Sequence, residues 1–561
     1  MNRTISELQE DVMRGKITRR TFLRNAILLG MSLASAQTLL AACMAPAPVA
    51  APDEAAEAGA APQTGLTLSI AFNANFTTLD PHFWVNWRDG ELSHLIFDTG
   101  IMHSPQLDCE PWVFESWTQL DPHTWQLKIR EGITFPNGDP LNAEAIRYTM
   151  ERILDPDVGV SLKGWQRFEF AEPGEVVDEY TFNMITGAMI NPFYYCRTPG
   201  TEWAWLPPSY YRGLPNEEAA LNPMGSGPYT LVEYKSDLHT ILEAKPDYWN
   251  AKRIWGGDGT PRWQRYELNI IPEASTRLAA LEAGDVDIAH TIPLDQARSL
   301  PGPDAVGEPV RAIVGATGAT MFMYIQPQPH TPELKEQQVR LALNHAVNWD
   351  PINQQLFLGA SYRQTAWMVS IHPQLNPNVE AIPYDPEKAK ALLADAGVPD
   401  GYQLRLVTAS NAIPELPLVA QAIAAQYKEV GIAVEVETME GSLIGKQTRA
   451  RESPFDLVLW DFGGSYADVG SSMYRMHPDY WPNQTGWVHE EYAELYQLLS
   501  EEEALYTDRR NEIAWRMQEI LVEDPPCVIL GADVKAHAIG PRVNWTPRLD
   551  QFVYPWEITL A

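Results

Sequence analysis

Two rhythms of apolar and polar positions run through the chain from residue 66 onward. Leu66, Leu68 and Ile70 alternate with polar neighbours, which predicts a half-buried strand where folding begins. Trp125 to Arg130 and Tyr229 to Val232 read as further strands. Asn142 to Met150 instead opens a helix, and Pro272 to Thr276 leads into one that carries Leu278 and Leu281. Gly284 stops that helix, because a residue without Cβ accepts the positive φ of a helix end, and Val286 and Ile288 then resume the strand period. Val339, Ala342, Leu343 and Ala346 recur at i, i+3, i+4 and i+7, as do Ala389, Leu392, Leu393 and Ala396 ahead of Gly397. No fixed-period repeat is present. Interleaved strands and one-faced helices predict an α/β or α+β protein with mixed sheets.

The first 43 residues follow neither rhythm. Arg3, Arg14, Lys16, Arg19, Arg20 and Arg24 precede a 17-residue apolar run, Ala26 to Ala42, diluted by Ser32, Ser35, Gln37 and Thr38. A spanning helix wants about 20 strongly apolar residues, so this run reads as a signal peptide over 1–43. Thr18 to Arg24 resembles the twin-arginine export signal. Leu40-Ala41-Ala42-Cys43 resembles a bacterial lipobox, whose Cys is diacylated and becomes the mature N-terminus. The expectation is a lipoprotein anchored through Cys43 on the extracytoplasmic face of the bacterial cell membrane, in the periplasm or at the cell surface. Residues 44–65, with nine Ala and four Pro, then read as a linker spanning on the order of 25 Å.

Charge removes other classes. Among 561 residues, 41 Lys+Arg stand against 73 Asp+Glu, a formal net charge of −32, and no run of bases offers a phosphate-binding surface. Without residues 1–43 the charge is −35, which an anionic bilayer repels, so the lipid rather than the protein surface is the anchor. Apolar content of 45% excludes wholesale disorder, and four Cys are too few for a disulfide scaffold. The length allows three to five domains of roughly 100–200 residues.

Three chemical templates fail. Gly441 to Gln447 lacks both the glycine spacing and the Ser or Thr of a phosphate loop. Gly225-Ser-Gly227-Pro lacks the third Gly of a dinucleotide fingerprint, and Asp285 to His290 lacks the Gly and third ligand of a calcium loop. No catalytic residue, metal or cofactor is expected.

Short blocks in a fixed order carry a resemblance. They include Leu79-Asp80-Pro81, Glu115-Ser116-Trp117, Leu127 to Arg130, Gly132 to Phe135, Leu141 to Glu144, Pro223 to Tyr229, Asp247 to Trp249, Leu281 to Asp287, Val339 to Leu343, Tyr384 to Ala389 and Glu519 to Pro526. From about Leu66 to the last strand the chain resembles the family 5 extracytoplasmic solute-binding proteins of ABC importers, which include dipeptide, oligopeptide and nickel receptors. The resemblance implies an α/β two-lobed periplasmic-binding-protein clamp. Lobe I would comprise 66–108, 228–312 and 528–561, an inserted domain 109–227, and lobe II 313–527. Strands near Gly315 to Ile325 and Cys527 to Ala532 would be the hinge.

It also implies a non-enzymatic, monomeric receptor that encloses a peptide-like solute between lobes and hands it to permease subunits driven by an ATPase. An extracytoplasmic enzyme on a modified clamp is the competing class, but no nucleophile, base and orienting partner can be assembled. The family's ligand-binding segment matches Trp460, Asp461, Gly464, Ser465, Tyr466 and Asp468. Ser465 stands at the ammonium-binding position, where a hydroxyl cannot supply charge pairing, and Asp461 is a substitute from a shifted register. Asn75, Phe76 and Trp165 are further candidate contacts. With 19 Trp and 22 Tyr in the chain, stacking faces suit a neutral oligosaccharide as an alternative ligand. Cys109 and Cys196 form a conceivable disulfide, and Cys527 and its fellows are equally readable as free thiols.

Overall fold

The computed structural model describes residues 66–561, apart from 77, 84–86, 106–108, 122, 161–171, 187–203, 306, 366–373, 410–412, 450–452, 464–468, 470–472, 474–475, 478–484 and 500–507. The signal peptide, Cys43, the linker, Trp165, Cys196, Gly464, Ser465, Tyr466 and Asp468 therefore lie outside the described residues.

The chain opens with β1 (Leu66–Phe72), followed by α1 (Trp87–Ile96) and the short hairpin β2 (Ile101–His103) and β3 (Cys109–Pro111). β1 is not half-buried as its alternation predicts. It lies parallel between two neighbours, so Leu68 to Phe72 are enclosed on both faces and Ser69 turns its amide to Asp287 at 2.9 Å. A separate antiparallel sheet in the order β4-β5-β7-β6 comprises β4 (Phe114–Asp121), β5 (Thr124–Ile129), β6 (Glu175–Asp178) and β7 (Thr181–Ile185). α2 (Ala143–Leu154) packs Ala145, Ile146 and Met150 against Trp125, Leu127 and Ile129 of that sheet. Asn142 starts α2 by accepting the amides of Glu144 and Ala145 at 3.1 and 3.3 Å.

α2 also anchors this sheet to the first core. Its Arg152 reaches Asp80 at 2.6 and 3.2 Å and donates to His82 Nδ1 at 2.6 Å, with all three side chains buried. Burial first, and the Arg152 charge second, hold His82 down to about 3, so it stays a neutral acceptor.

Ten strands then make one continuous sheet. They are β1, β8 (Tyr229–Lys235), β9 (His239–Ala244), β10 (Trp263–Ile270), β11 (Ile288–Ile292), β12 (Arg311–Ile325), β13 (Tyr402–Ala409), β14 (Ile432–Met439), β15 (Leu457–Gly463) and β16 (Cys527–Ile539). The order β14-β13-β15-β12-β16-β11-β1-β10-β9-β8 puts the two longest strands in the middle. β12 pairs with β15 only through Ala319–Ile325, while β16 pairs with β11 only through Ala536–Ile539. Each central strand thus starts in one half of the molecule and ends in the other, which makes a two-lobed clamp. Their mutual ladder shifts register between Ala316 and Thr320 and again between Thr320 and Phe322.

Helices cover the sheet where apolar stripes predict them. α3 (Ala274–Ala283) ends at Gly284 with φ 79° in the left-handed region. α4 (Gln337–His345) buries Val339, Ala342 and Leu343, α5 (Pro386–Asp395) buries Ala389 and Leu393, and α6 (Leu416–Glu429) covers β13 and β14. α7 (Asp508–Glu523) packs on the opposite face with Phe322, Tyr324 and Val458. Gly225 and Gly227 are needed for a close approach of two backbone segments. A Cβ on either would sit 2.3 or 2.6 Å from the Ile96 backbone, and Gly227 donates to the Ile96 carbonyl at 2.9 Å.

Candidate functional site

A cleft of about 510 Å³ lies between the lobes beside the strand crossing. One wall comes from Asn73 after β1, Glu91 on α1, Ala274 and Arg277 on α3, and the stretch from His290 to Leu294. The other brings Ile413, Pro414, Glu415 and Asp461. Asp533 to Ala536 of β16 form the floor, and Asp550, Gln551 and Phe552 close one side. Glu91, Arg277, His290, Glu415, Asp461, Asp533, Lys535 and Asp550 make eight ionisable groups, against Phe552 as the one carbocyclic aromatic ring. Stacking platforms for a neutral sugar are therefore scarce among the described lining residues.

Asp461 reaches the cleft through strand alternation. Along β15, Leu457 and Leu459 point into the main core and Val458 and Trp460 into the core under α7, so Asp461 follows Leu459 to the first face and lies beyond the core's edge. Burial raises its carboxyl above the ordinary range, opposed by the Lys535 charge. Asp533 is pushed up to about 7, by burial first, with Asp461 and Glu415 adding repulsion and Lys535 opposing. Burial likewise raises Glu415.

Two cations of the cleft, Lys535 and Arg277, donate to neutral groups. Lys535 donates to Gln551 Oε1. Arg277 donates to the carbonyls of Ile271 and Pro272, both at 2.7 Å, and to that of Thr291. Thr291 holds φ at 51°, a left-handed conformation costing about 1–3 kcal/mol for a β-branched residue. Its amide donates to His537 Nδ1 at 3.1 Å, and burial holds His537 down to about 3, which keeps that nitrogen an acceptor.

Of the residues expected to touch ligand, the cleft gathers only Asp461 among those described. Phe76 is a correction: it is 2% exposed and packs in the first lobe's core against Phe72, with ring centroids 6.4 Å apart. Asn75 gives its amide to Ser236 at 2.9 Å and lies outside the cleft lining, where Asn73 stands instead. Trp460 packs on the far face of the sheet. Trp205, one of the 19 Trp, is fully buried in the core of the four-stranded sheet. Asp533 and Glu415 were not anticipated. The available signal is a lone acid in the apolar run Cys527 to Ala532 and Val534, a position that isolated charge avoids without a purpose. Cys527 is a buried free thiol. Among the described residues no three His, Cys, Asp or Glu converge to hold a metal ion, and no helix is long and apolar enough to cross a membrane.

Comparison with known proteins follows the same outline. The family described as bacterial extracellular solute-binding proteins, family 5 middle region, matches residues 108–483. The nickel-binding periplasmic protein of Escherichia coli K12 is 24% identical over 447 residues, covering 74% of this chain and 80% of that one. The glutathione-binding protein GsiB of Pectobacterium atrosepticum is 24% identical over 425 residues, covering 73% and 76%. Among solved structures, HbpA2 from Haemophilus parasuis superposes with a TM-score of 0.75 at 19% identity, covering 88% of this chain and 100% of that one. DppA from Helicobacter pylori, in complex with the peptide STSA, gives 0.68 at 21% identity, covering 88% and 98%.

Proposed function

The chain belongs to the family 5 bacterial extracellular solute-binding proteins, and we propose that it is a lipid-anchored receptor that closes its two lobes on a peptide-like solute and delivers it to the permease of an ABC importer. The observation that carries this reading is the cleft itself, walled by both lobes, floored by the crossing strands and lined by eight ionisable groups. Such a lining suits a charged solute with polar ends better than a neutral oligosaccharide. The receptor acts without turnover as a monomer, and closure follows because only a solute that binds the closed state better can shift the open one toward it. Residues 1–43 export the chain, Cys43 carries the lipid, and residues 44–65 let the body range above the bilayer.

The test is retention. Purified protein is incubated with mixed short peptides and with oligosaccharides, then desalted, and bound and unbound fractions are read by mass spectrometry. Intact bound peptides together with a smaller radius of gyration at saturation are expected. Fragmentation of the peptides, or retention of oligosaccharides alone, would overturn the reading. For the anchor, Cys43→Ser is expected to release the protein or leave it unprocessed, and an unchanged membrane fraction with the same processed N-terminus would refute lipidation.

A further inference from the structure

A second cavity, of about 150 Å³, adjoins the cleft, and Lys535 and Gln551 line both spaces at their common border. Its base is the stretch of β12 and β16 in which Ile313 pairs with His537 and Gly315 with Lys535. Residues 545–548 and Gln551 cover it, and the chain between them is strapped to β12 by the Gly318 amide, which donates to the Leu549 carbonyl at 2.8 Å. Gly315 keeps this chamber open, because a Cβ there would meet nothing within 4 Å.

The charge of the chamber runs against that of the chain. In a protein of formal net charge −32, no Asp or Glu stands among its described lining residues, whereas the cleft has five. Of its two cations, Arg548 is neutralised by Asp550 and Glu557 at 2.8 and 2.7 Å. Lys535 pairs with no carboxylate among the described residues; its bond goes to neutral Gln551 Oε1, which leaves two of its three N–H groups. His537 accepts the Thr291 amide at Nδ1, so its proton sits on Nε2 as a donor. Trp545, packed edge-on against His537 with ring centroids 4.9 Å apart, has a buried Nε1 with no acceptor among the described residues. Donors therefore dominate the polar edge, and Ile313, Val314 and Pro547 make the rest apolar. Buried donors without acceptors are costly, so this lining calls for a group that accepts.

We propose that the chamber is a second binding site, separate from the solute cleft, for a small free carboxylate of acetate to butyrate size, held by Lys535 and His537 Nε2 with its alkyl end against the apolar wall. The volume fits this class: a cavity of about 150 Å³ holds a molecule the size of benzene, so an acid of this size enters and a peptide does not. An inorganic anion would satisfy the donors but leave the apolar wall uncovered. The site does not depend on what the cleft takes, yet it bears on the cleft. Lys535 is the cation that opposes the raised carboxyls of Asp461 and Asp533, so a carboxylate bound to it weakens that opposition. An occupant also touches both strands of the crossing, and with them the element on which the lobes turn.

The test uses the full mature chain and three probes of one size: sodium propionate, 1-propanol and propylammonium chloride, at constant ionic strength. Dissociation constants are read by ligand-observed NMR for wild type, Gly315→Val and Lys535→Met. Wild type is expected to bind propionate saturably and about tenfold or more tightly than either other probe, since the charge-assisted bonds are available to the carboxylate alone. Gly315→Val fills the chamber without altering a polar group of the cleft, and Lys535→Met removes the charge and keeps the apolar stem; each should weaken propionate about tenfold or more. Should the Val variant fail to fold, Gly315→Ala takes its place, and its methyl should weaken butyrate more than acetate. Absence of saturable propionate binding, or equal affinity for the three probes, overturns the site. So does wild-type affinity in a folded Gly315 variant, and a loss confined to Lys535→Met then places the propionate in the cleft. A loss confined to the Gly315 variant overturns the role of Lys535 and with it the site as stated.

Discussion

Replacing Asp533 by Asn should make the solute-free protein more stable, and the gain should grow with pH. An aspartate unfolded in water titrates near 3.8, whereas burial pushes folded Asp533 up to about 7. The folded protein therefore keeps a proton that the unfolded chain has already released. Stability is full at low pH, falls as pH rises past the unfolded value, and reaches its floor above about pH 7. Integrating between those limits, the cost of Asp533 is about 2 kcal/mol at pH 5 and about 4 kcal/mol at pH 8. Asn has the same shape and no charge, so packing effects of the substitution cancel between the two conditions. The variant should gain about 2–3 kcal/mol more at pH 8 than at pH 5 relative to wild type. Unfolding entropy of about 2.1 cal/mol/K per residue, over roughly 500 residues, converts this to a difference of about 2–3 °C in midpoint. Calorimetry of both proteins at the two pH values, without solute, reads it directly. A gain equal at both values, or larger at pH 5, would refute the argument that burial penalises the charge on Asp533.

Other substitutions test the scaffold. Gly227→Ala places a methyl 2.6 Å from the Ile96 backbone, so it should cost about 1–3 kcal/mol in urea-denaturation experiments, visible as a lower midpoint at unchanged slope. Arg152→Ala strands buried Asp80 without its guanidinium partner and should cost about 3–5 kcal/mol by the same assay. Asn142→Ala removes the acceptor for two amides at the start of α2 and should cost about 1 kcal/mol.

Much of this fold could be read from periodicity, because each apolar stripe has one physical outcome. The stripe at Val339, Ala342 and Leu343 became α4, and the Gly284 and Gly397 stops hold positive φ where helices end. The family blocks were legible too, since residues such as Gly227 serve the backbone approach that the fold requires. The site was less legible for a different reason. Which side of a strand faces a cleft depends on where the covering core stops, and Asp461 and Trp460 are adjacent in sequence yet serve opposite faces. Phe76 and Trp205 carry large rings that suit a ligand and a core equally, and burial alone tells them apart. Asp533 gains its meaning only when β16 is laid between the lobes, bringing it to Glu415 more than 100 residues away in sequence.

The exchange of β12 and β16 between lobes also governs how the protein is born. β11 ends at Ile292, but the strand that covers its outer edge, β16, begins at Cys527. A ribosome adding about 5–20 residues per second needs roughly 10–50 s to make the intervening chain. Throughout that interval the first lobe emerges with an unpaired parallel-sheet edge, a template for pairing with another nascent chain. Its closure depends on contacts as distant as Arg542 to the Thr67 carbonyl, 475 residues apart. The architecture that lets two lobes share a floor thus obliges the cell to keep a half-made protein from finding the wrong strand first.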